Sequence, residues 1–123
     1  MRLLLDTHVV LWWLADDPRL DDGVKDLIDS EYDVFVSAVT TWEIAIKQAL
    51  GKLGPDDLPE RVSSTELRDL PIRSDHAVVA GRLPPIHRDP FDRMLVAQAR
   101  CEGLTLATAD TTIHKYDVSL LHV

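Results

Sequence analysis

Short apolar runs alternate with helix-patterned stretches along the whole chain, and Leu104 to Ala109 shows almost no polar alternation. A strand with no polar face is buried on both sides, as in a parallel sheet covered by helices. Leu3 to Leu5 is a second such run and Val34 to Ser37 a third. Helical spacing fills the intervals: Thr7 to Ala15, apolar almost all round, then Leu20, Val24, Leu27 and Ile28, then Thr40 to about Leu50. Pro55 to Glu66 is polar and holds a short helix, and Leu67 to Ile72 with its Pro71 reads as an edge strand. Ser74 to Arg82 is a helix with Ser74 as its cap. Phe91 to Glu102 is another, capped by Asp89, started by Pro90 and stopped by Gly103. A helical turn follows Asp110, and Val118 to His122 is a last strand. The order β-α-α-β-α-α-β-α-α-β-α-β implies an α/β fold, three layers α/β/α around a mostly parallel sheet.

The 123 residues fit one domain, 1–123. Hydrophobic content of 46% is enough for a packed core and too high for a disordered chain. The longest apolar run, Val9 to Ala15, is too short to span a bilayer, and Asp6 interrupts any signal-peptide core, so a cytoplasmic protein without a membrane role is expected. Cys101 is the only cysteine, which excludes an intrachain disulfide and a multi-cysteine zinc site. A net charge of −8 argues against broad binding to phosphate backbones, although bound cations and local arginines can invert the field at a site.

Four acids sit where strands hand over to helices: Asp6, Glu43, Asp92 and Asp110. Ligands of open α/β sheets bind beyond the carboxyl ends of the strands. Each acid also has a structural role open to it. Asp6 and Asp110 can be N-caps, Thr40-Thr41-Trp42-Glu43 matches a capping box, and Asp92 in a first turn favours the helix dipole. As a set they carry a stronger implication. Two carboxylates about 4 Å apart repel by on the order of 4 kcal/mol at an effective dielectric near 20. A divalent cation offsets that, and oxygen-only ligands favour Mg²⁺ or Mn²⁺ over zinc. Such an ion polarises phosphoryl oxygens and activates water.

Lys47 lies one turn beyond Glu43, so it either contacts a phosphate or forms an i,i+4 pair. Arg88 and Arg93 flank Asp92 as phosphate contacts or solvated groups, and Thr108 and Thr112 are placed to hydrogen-bond Asp110 or a metal-bound water. The histidines show no metal-ligand pair at helical spacing and read as surface or packed residues. These acids alone also permit a phosphatase acting on small phosphate esters, although the chain has Asp6-Thr7-His8 where an aspartyl-phosphate mechanism favours Asp-x-Asp. A non-catalytic protein-binding module using the Trp12-Trp13 helix is a further alternative, set against core burial of both rings.

Four segments carry a resemblance. They are Leu4-Leu5-Asp6-Thr7-His8, Ser37 to Lys47, His87-Arg88-Asp89-Pro90-Phe91-Asp92-Arg93-Met94-Leu95 running on to Ala99, and Thr108-Ala109-Asp110. Together they resemble the PIN-domain ribonucleases, and most of all the VapC toxins of toxin–antitoxin pairs. The likeness covers nearly the whole chain and is most specific around Asp92. It implies a PIN-like fold and an endoribonuclease dependent on Mg²⁺ or Mn²⁺ that cleaves RNA, commonly tRNA or rRNA. By the same resemblance Asp6, Glu43, Asp92 and Asp110 form the catalytic site. Asp6 and Asp92 would be direct metal ligands, with Glu43 and Asp110 completing the site through water or by orienting the nucleophile. Asp89 keeps a capping or supporting role. A homodimer and a VapB-type antitoxin that blocks the site are also implied.

Overall fold

The computed structural model describes residues 1–123. Strand β1 (Leu3–Leu5) lies at the centre of a five-stranded sheet, with β2 (Val34–Ser37) on one side and β4 (Thr105–Thr108) on the other. β3 (Arg68–Leu70) and β5 (Leu120–His122) are the two edges, giving the order β3-β2-β1-β4-β5. Every pairing is parallel, so the expected mostly parallel sheet is parallel throughout. Pro71 falls just beyond the edge strand β3, where its missing N–H interrupts no ladder.

Seven helical segments complete the chain: α1 (Thr7–Leu14), α2 (Asp22–Ser30), α3 (Ala38–Ala49), α4 (Leu58–Ser63), α5 (Ser74–Arg82), α6 (Pro90–Glu102) and a 3₁₀ turn (Ile113–Lys115). Alternation along the strands divides the core. Leu4, Phe35 and Leu106 point to one face with Leu95, Val96 and Ala99 of α6, while Leu3, Leu5, Val34, Val36 and Ala107 point to the other with Val9, Val10 and Ile44. Each fully buried leucine here contributes about 1.5–3 kcal/mol. Trp12 and Trp13 are half-buried against the second cluster, so the two rings are not wholly core. The indole N–H of Trp13 donates to Asp29 (2.9 Å). No helix is long and apolar enough to cross a membrane.

Three helix starts differ from expectation. α3 begins at Ala38, where the Ser37 hydroxyl accepts from the Val39 N–H (3.0 Å). The capping box expected at Thr40 and Glu43 therefore does not form, and both side chains are released inward. In α5, Arg73 is the cap residue and Ser74 is already helical; the His76 ring Nδ1 accepts from the Arg73 N–H (3.0 Å). The helical turn expected directly after Asp110 shrinks to the 3₁₀ segment. α6 matches its sequence signals: Asp89 accepts from the Phe91 N–H (2.8 Å), Pro90 opens the first turn and Gly103 closes the helix in the left-handed region (φ 64°).

Candidate active site

Asp6, Thr108 and Asp110 lie at the carboxyl ends of the adjacent strands β1 and β4. The chain leaves β1 toward β2 on one side, and β4 flanks β1 on the other, so this edge has the geometry of a switch-point crevice. Thr108 couples two of the acids. Its hydroxyl donates to Asp6 Oδ2 (2.5 Å) and accepts from the Asp110 N–H (3.0 Å). The other Asp6 oxygen caps α1 by accepting from the His8 N–H (3.2 Å). Capping and site placement are thus compatible in one side chain.

Glu43 reaches the crevice from the second turn of α3. Thr7 donates to its Oε1 (2.8 Å), Lys47 Nζ stands 2.8 Å from its Oε2, and the Thr7 and Thr40 hydroxyls are 3.2 Å apart. Since Thr7 gives its proton to Glu43, Thr40 is the donor of that second bond. Lys47 is therefore an i,i+4 partner of Glu43, and that hydrogen bond raises the pKa of Lys47. It still stands beside the acids as a cation.

The fourth acid arrives from the first turn of α6. His87 Nε2 lies 3.1 Å from Asp92 Oδ2 and 2.9 Å from Asp110 Oδ2. The other ring nitrogen, Nδ1, accepts from the Asp89 N–H (3.1 Å), which leaves the proton on Nε2, pointing between the two carboxylates. The donor atoms of His87, Asp92 and Asp110 lie within 4.8 Å of one another. By sequence alone His87 reads as a surface or packed histidine. Its partner Asp110 is 23 residues away, and no local spacing announces such a contact.

Charge is out of balance here. Asp92 is pushed up to about 7, first by burial and then by the charges of Asp6, Asp89 and Glu43, against an opposing pull from His87. Asp6 is also raised, by burial above all, despite its bond from Thr108. Asp110 goes the other way. Burial pushes it up, but the bonds from His87 and from the Thr112 N–H (2.8 Å) prevail and lower it. A rise from 3.8 to about 7 is roughly 4 kcal/mol against ionised Asp92. Crowded carboxylates with two pKa values held up form the donor set that a hard divalent cation relieves.

The remaining candidates fall into place as follows. Arg88 is exposed beside the site. Arg93 is turned away from it: Nη2 donates to the carbonyls of Ala80 (2.8 Å) and Leu83 (3.0 Å), and Nη1 to that of Pro84 (3.1 Å). That half-buried guanidinium clamps the α5–α6 connection, its N–H groups taken up by backbone carbonyls rather than free for a phosphate. Thr112 meets Asp110 through its backbone N–H rather than its hydroxyl.

Residues 3–119 match the PIN domain family model. The chain is a PIN-domain protein. It is 30% identical to Ribonuclease VapC22 of Mycobacterium tuberculosis (strain ATCC 25618 / H37Rv), over 93% of this chain and 91% of the relative. Among solved structures, FitAcB from Neisseria gonorrhoeae superposes with a TM-score of 0.71 at 27% identity, covering 98% of this PIN domain and 96% of that chain. The DNA-bound VapBC from Salmonella typhimurium gives a TM-score of 0.77 at 15% identity, with 99% and 98% covered, a likeness of fold. The α/β/α architecture expected from the sequence is therefore that of the PIN family, whose nucleases generally use a divalent metal.

Proposed function

We propose that this PIN domain, read as a single unit over residues 1–123, is a metal-dependent endoribonuclease, the toxin of a toxin–antitoxin pair. The single observation that carries the chemistry is the crowding at Asp92: a carboxyl buried among Asp6, Asp89 and Glu43, raised to about 7 first by burial and then by their charges, is one that a bound cation relieves. The ribonuclease reading is supported by 30% identity to a chain named as a VapC ribonuclease. The antitoxin reading is supported by the VapBC complexes that share the fold, and by the likeness to FitAcB. We assign direct metal contact to Asp6 and Asp92, and completion of the site to Glu43 and Asp110.

A bound Mg²⁺ or Mn²⁺ would supply Lewis acidity at the scissile phosphate and a water of lowered pKa. The chain's own residues do the rest. Thr108 fixes the Asp6 carboxylate by one strong bond and ties Asp110 to the same hydroxyl. Thr7 and Lys47 hold the two oxygens of Glu43, so this carboxylate is oriented before substrate arrives. His87 donates its Nε2 proton between Asp92 and Asp110 and holds the pair in register while no cation is present. Hydrolysis by water leaves a 5′-phosphate and a 3′-hydroxyl and needs no 2′-hydroxyl, so preference for RNA, in tRNA or rRNA, rests on shape and contacts. The exposed Trp42, edge-on to Phe91 at 5.2 Å, is an apolar surface of the kind a second copy covers in a homodimer.

The test is cleavage of total cellular RNA by purified protein with Mg²⁺ or Mn²⁺. Asp6→Asn and Asp92→Asn are expected to abolish cleavage with the fold intact. Turnover of a small phosphate ester without RNA cleavage would contradict the reading.

A further inference from the structure

A groove opens between α1 and the α3–α4 connection, and it runs into the acidic centre. It is lined by Arg19, Lys47, Lys52 and Arg61, with Asp17 the one acid among them. In a chain with 21 acidic and 13 basic side chains, four cations to one acid is a local reversal of sign. Asp17 is occupied: Arg19 grips both its oxygens (2.7 and 3.1 Å), which holds Asp17 down at about 2. Lys47 is held by Glu43. Lys52 and Arg61 have no carboxylate partner and are exposed.

At the inner end of the groove, three planar groups gather. The Arg19 guanidinium carbon lies 5.1 Å from the centre of the Trp12 ring, and the His8 ring centre is 6.0 Å from that of Trp12. His8, Trp12 and Arg19 also line the smaller hollow that contains Asp6 and Asp110. They therefore stand at the junction between the basic groove and the acids. Cations along a lane and stacked planar groups at its end match one ligand chemistry, a single-stranded nucleic acid, whose phosphates need charge and whose unpaired bases need π faces.

We propose that this groove is the lane by which single-stranded RNA reaches the acidic centre. Lys52 and Arg61 contact backbone phosphates, and Trp12 with His8 and Arg19 is the platform on which the base next to the cleaved bond stacks. Resting on the ribonuclease reading, the proposal adds which residues of this chain take the strand: Lys52 and Arg61 hold its phosphates, and the Trp12 platform holds the base beside the scissile step.

Affinity is read by fluorescence anisotropy of an end-labelled single-stranded RNA oligonucleotide titrated with the full chain in EDTA, where RNA is bound without metal-dependent cleavage. Lys52→Glu with Arg61→Glu should weaken binding by on the order of 10-fold or more and reduce the salt slope by about 1.4, two phosphates' worth. Trp12→Ala should weaken it by on the order of 10-fold, while Trp12→Phe, which keeps a π face, stays within about 3-fold. Arg82→Glu with Arg100→Glu, the same change of charge at a hollow beside α5 and α6, is the control and should stay within about 2-fold. Thermal melts confirm folding of each variant. Affinities within twofold of wild type in both the double reversal and Trp12→Ala would overturn the lane, as would an equal loss in the control. Loss of antitoxin binding with RNA affinity intact would also overturn it and make the groove a protein seat. RNA cleavage by wild type alongside unchanged affinity in the variants refutes the lane alone. Absence of any RNA binding by wild type refutes the lane and the ribonuclease reading together.

Discussion

Two clusters of histidine and carboxylate lie on this fold, and they are built to opposite ends. In one, His76 is fully buried, donates from Nε2 to Glu102 (2.8 Å) and accepts the Arg73 N–H at Nδ1. Arg73 then bridges Asp75 (3.0 Å) and Glu102 (2.6 Å), and both acids are held low, Glu102 chiefly by His76 and Asp75 chiefly by Arg73. In the other, His87 faces Asp92 and Asp110 in the same way, yet Asp92 is raised to about 7. The difference is counter-charge. The first cluster has an arginine in hand; in the second, the arginine next in sequence, Arg93, is spent on backbone carbonyls. A pocket whose acids are left short of cations has a use for one from solution, and a neutralised cluster is a structural joint.

That contrast can be broken by experiment. The largest expected effect is on cleavage: Asp92→Asn should lower the single-turnover rate on RNA by about 10³-fold or more, whereas Glu102→Gln should stay within about 3-fold. The next is on stability. His76→Ala removes a buried ring, leaves the Arg73 N–H without its partner and strips Glu102 of one of its two, so denaturant melts should show a loss of about 2–4 kcal/mol. Arg93→Ala frees several carbonyls at once and should lose about 2–3 kcal/mol; Arg93→Lys should recover only part of it, since an ammonium cannot fork to the same acceptors.

Asp92→Asn should do the reverse in metal-free protein, and pH fixes the sign. A carboxyl whose folded pKa is raised loses stability as pH climbs from its unfolded value of 3.8 to its folded value of about 7, and the penalty is constant above that. Metal-free Asp92→Asn is therefore expected to be more stable than wild type by about 1–3 kcal/mol at pH 8, with the advantage vanishing near pH 4. Urea melts at the two pH values check this. Equal stabilities at pH 8 would show that the site tolerates its own charge.

Much of the comparison could be read before the structure. Unbroken apolar runs revealed the parallel sheet, and Asp6, Asp92 and Asp110 announced themselves because strand ends and helix starts are local patterns. What escaped was set by tertiary partners. Thr40 reads as the cap in sequence, and packing decides instead that Ser37 caps while Thr40 turns inward toward Thr7. The paired roles of His87 and His76, and the clamp made by Arg93, depend on contacts across 10 to 26 residues that no periodicity carries.

Calorimetric titration with Mn²⁺ at pH 7.5 tests the central claim most directly. Wild type and Glu102→Gln should bind with the same affinity, and Asp92→Asn should bind at least about 10-fold more weakly. Full Mn²⁺ affinity in Asp92→Asn, or its loss in Glu102→Gln, would contradict the account.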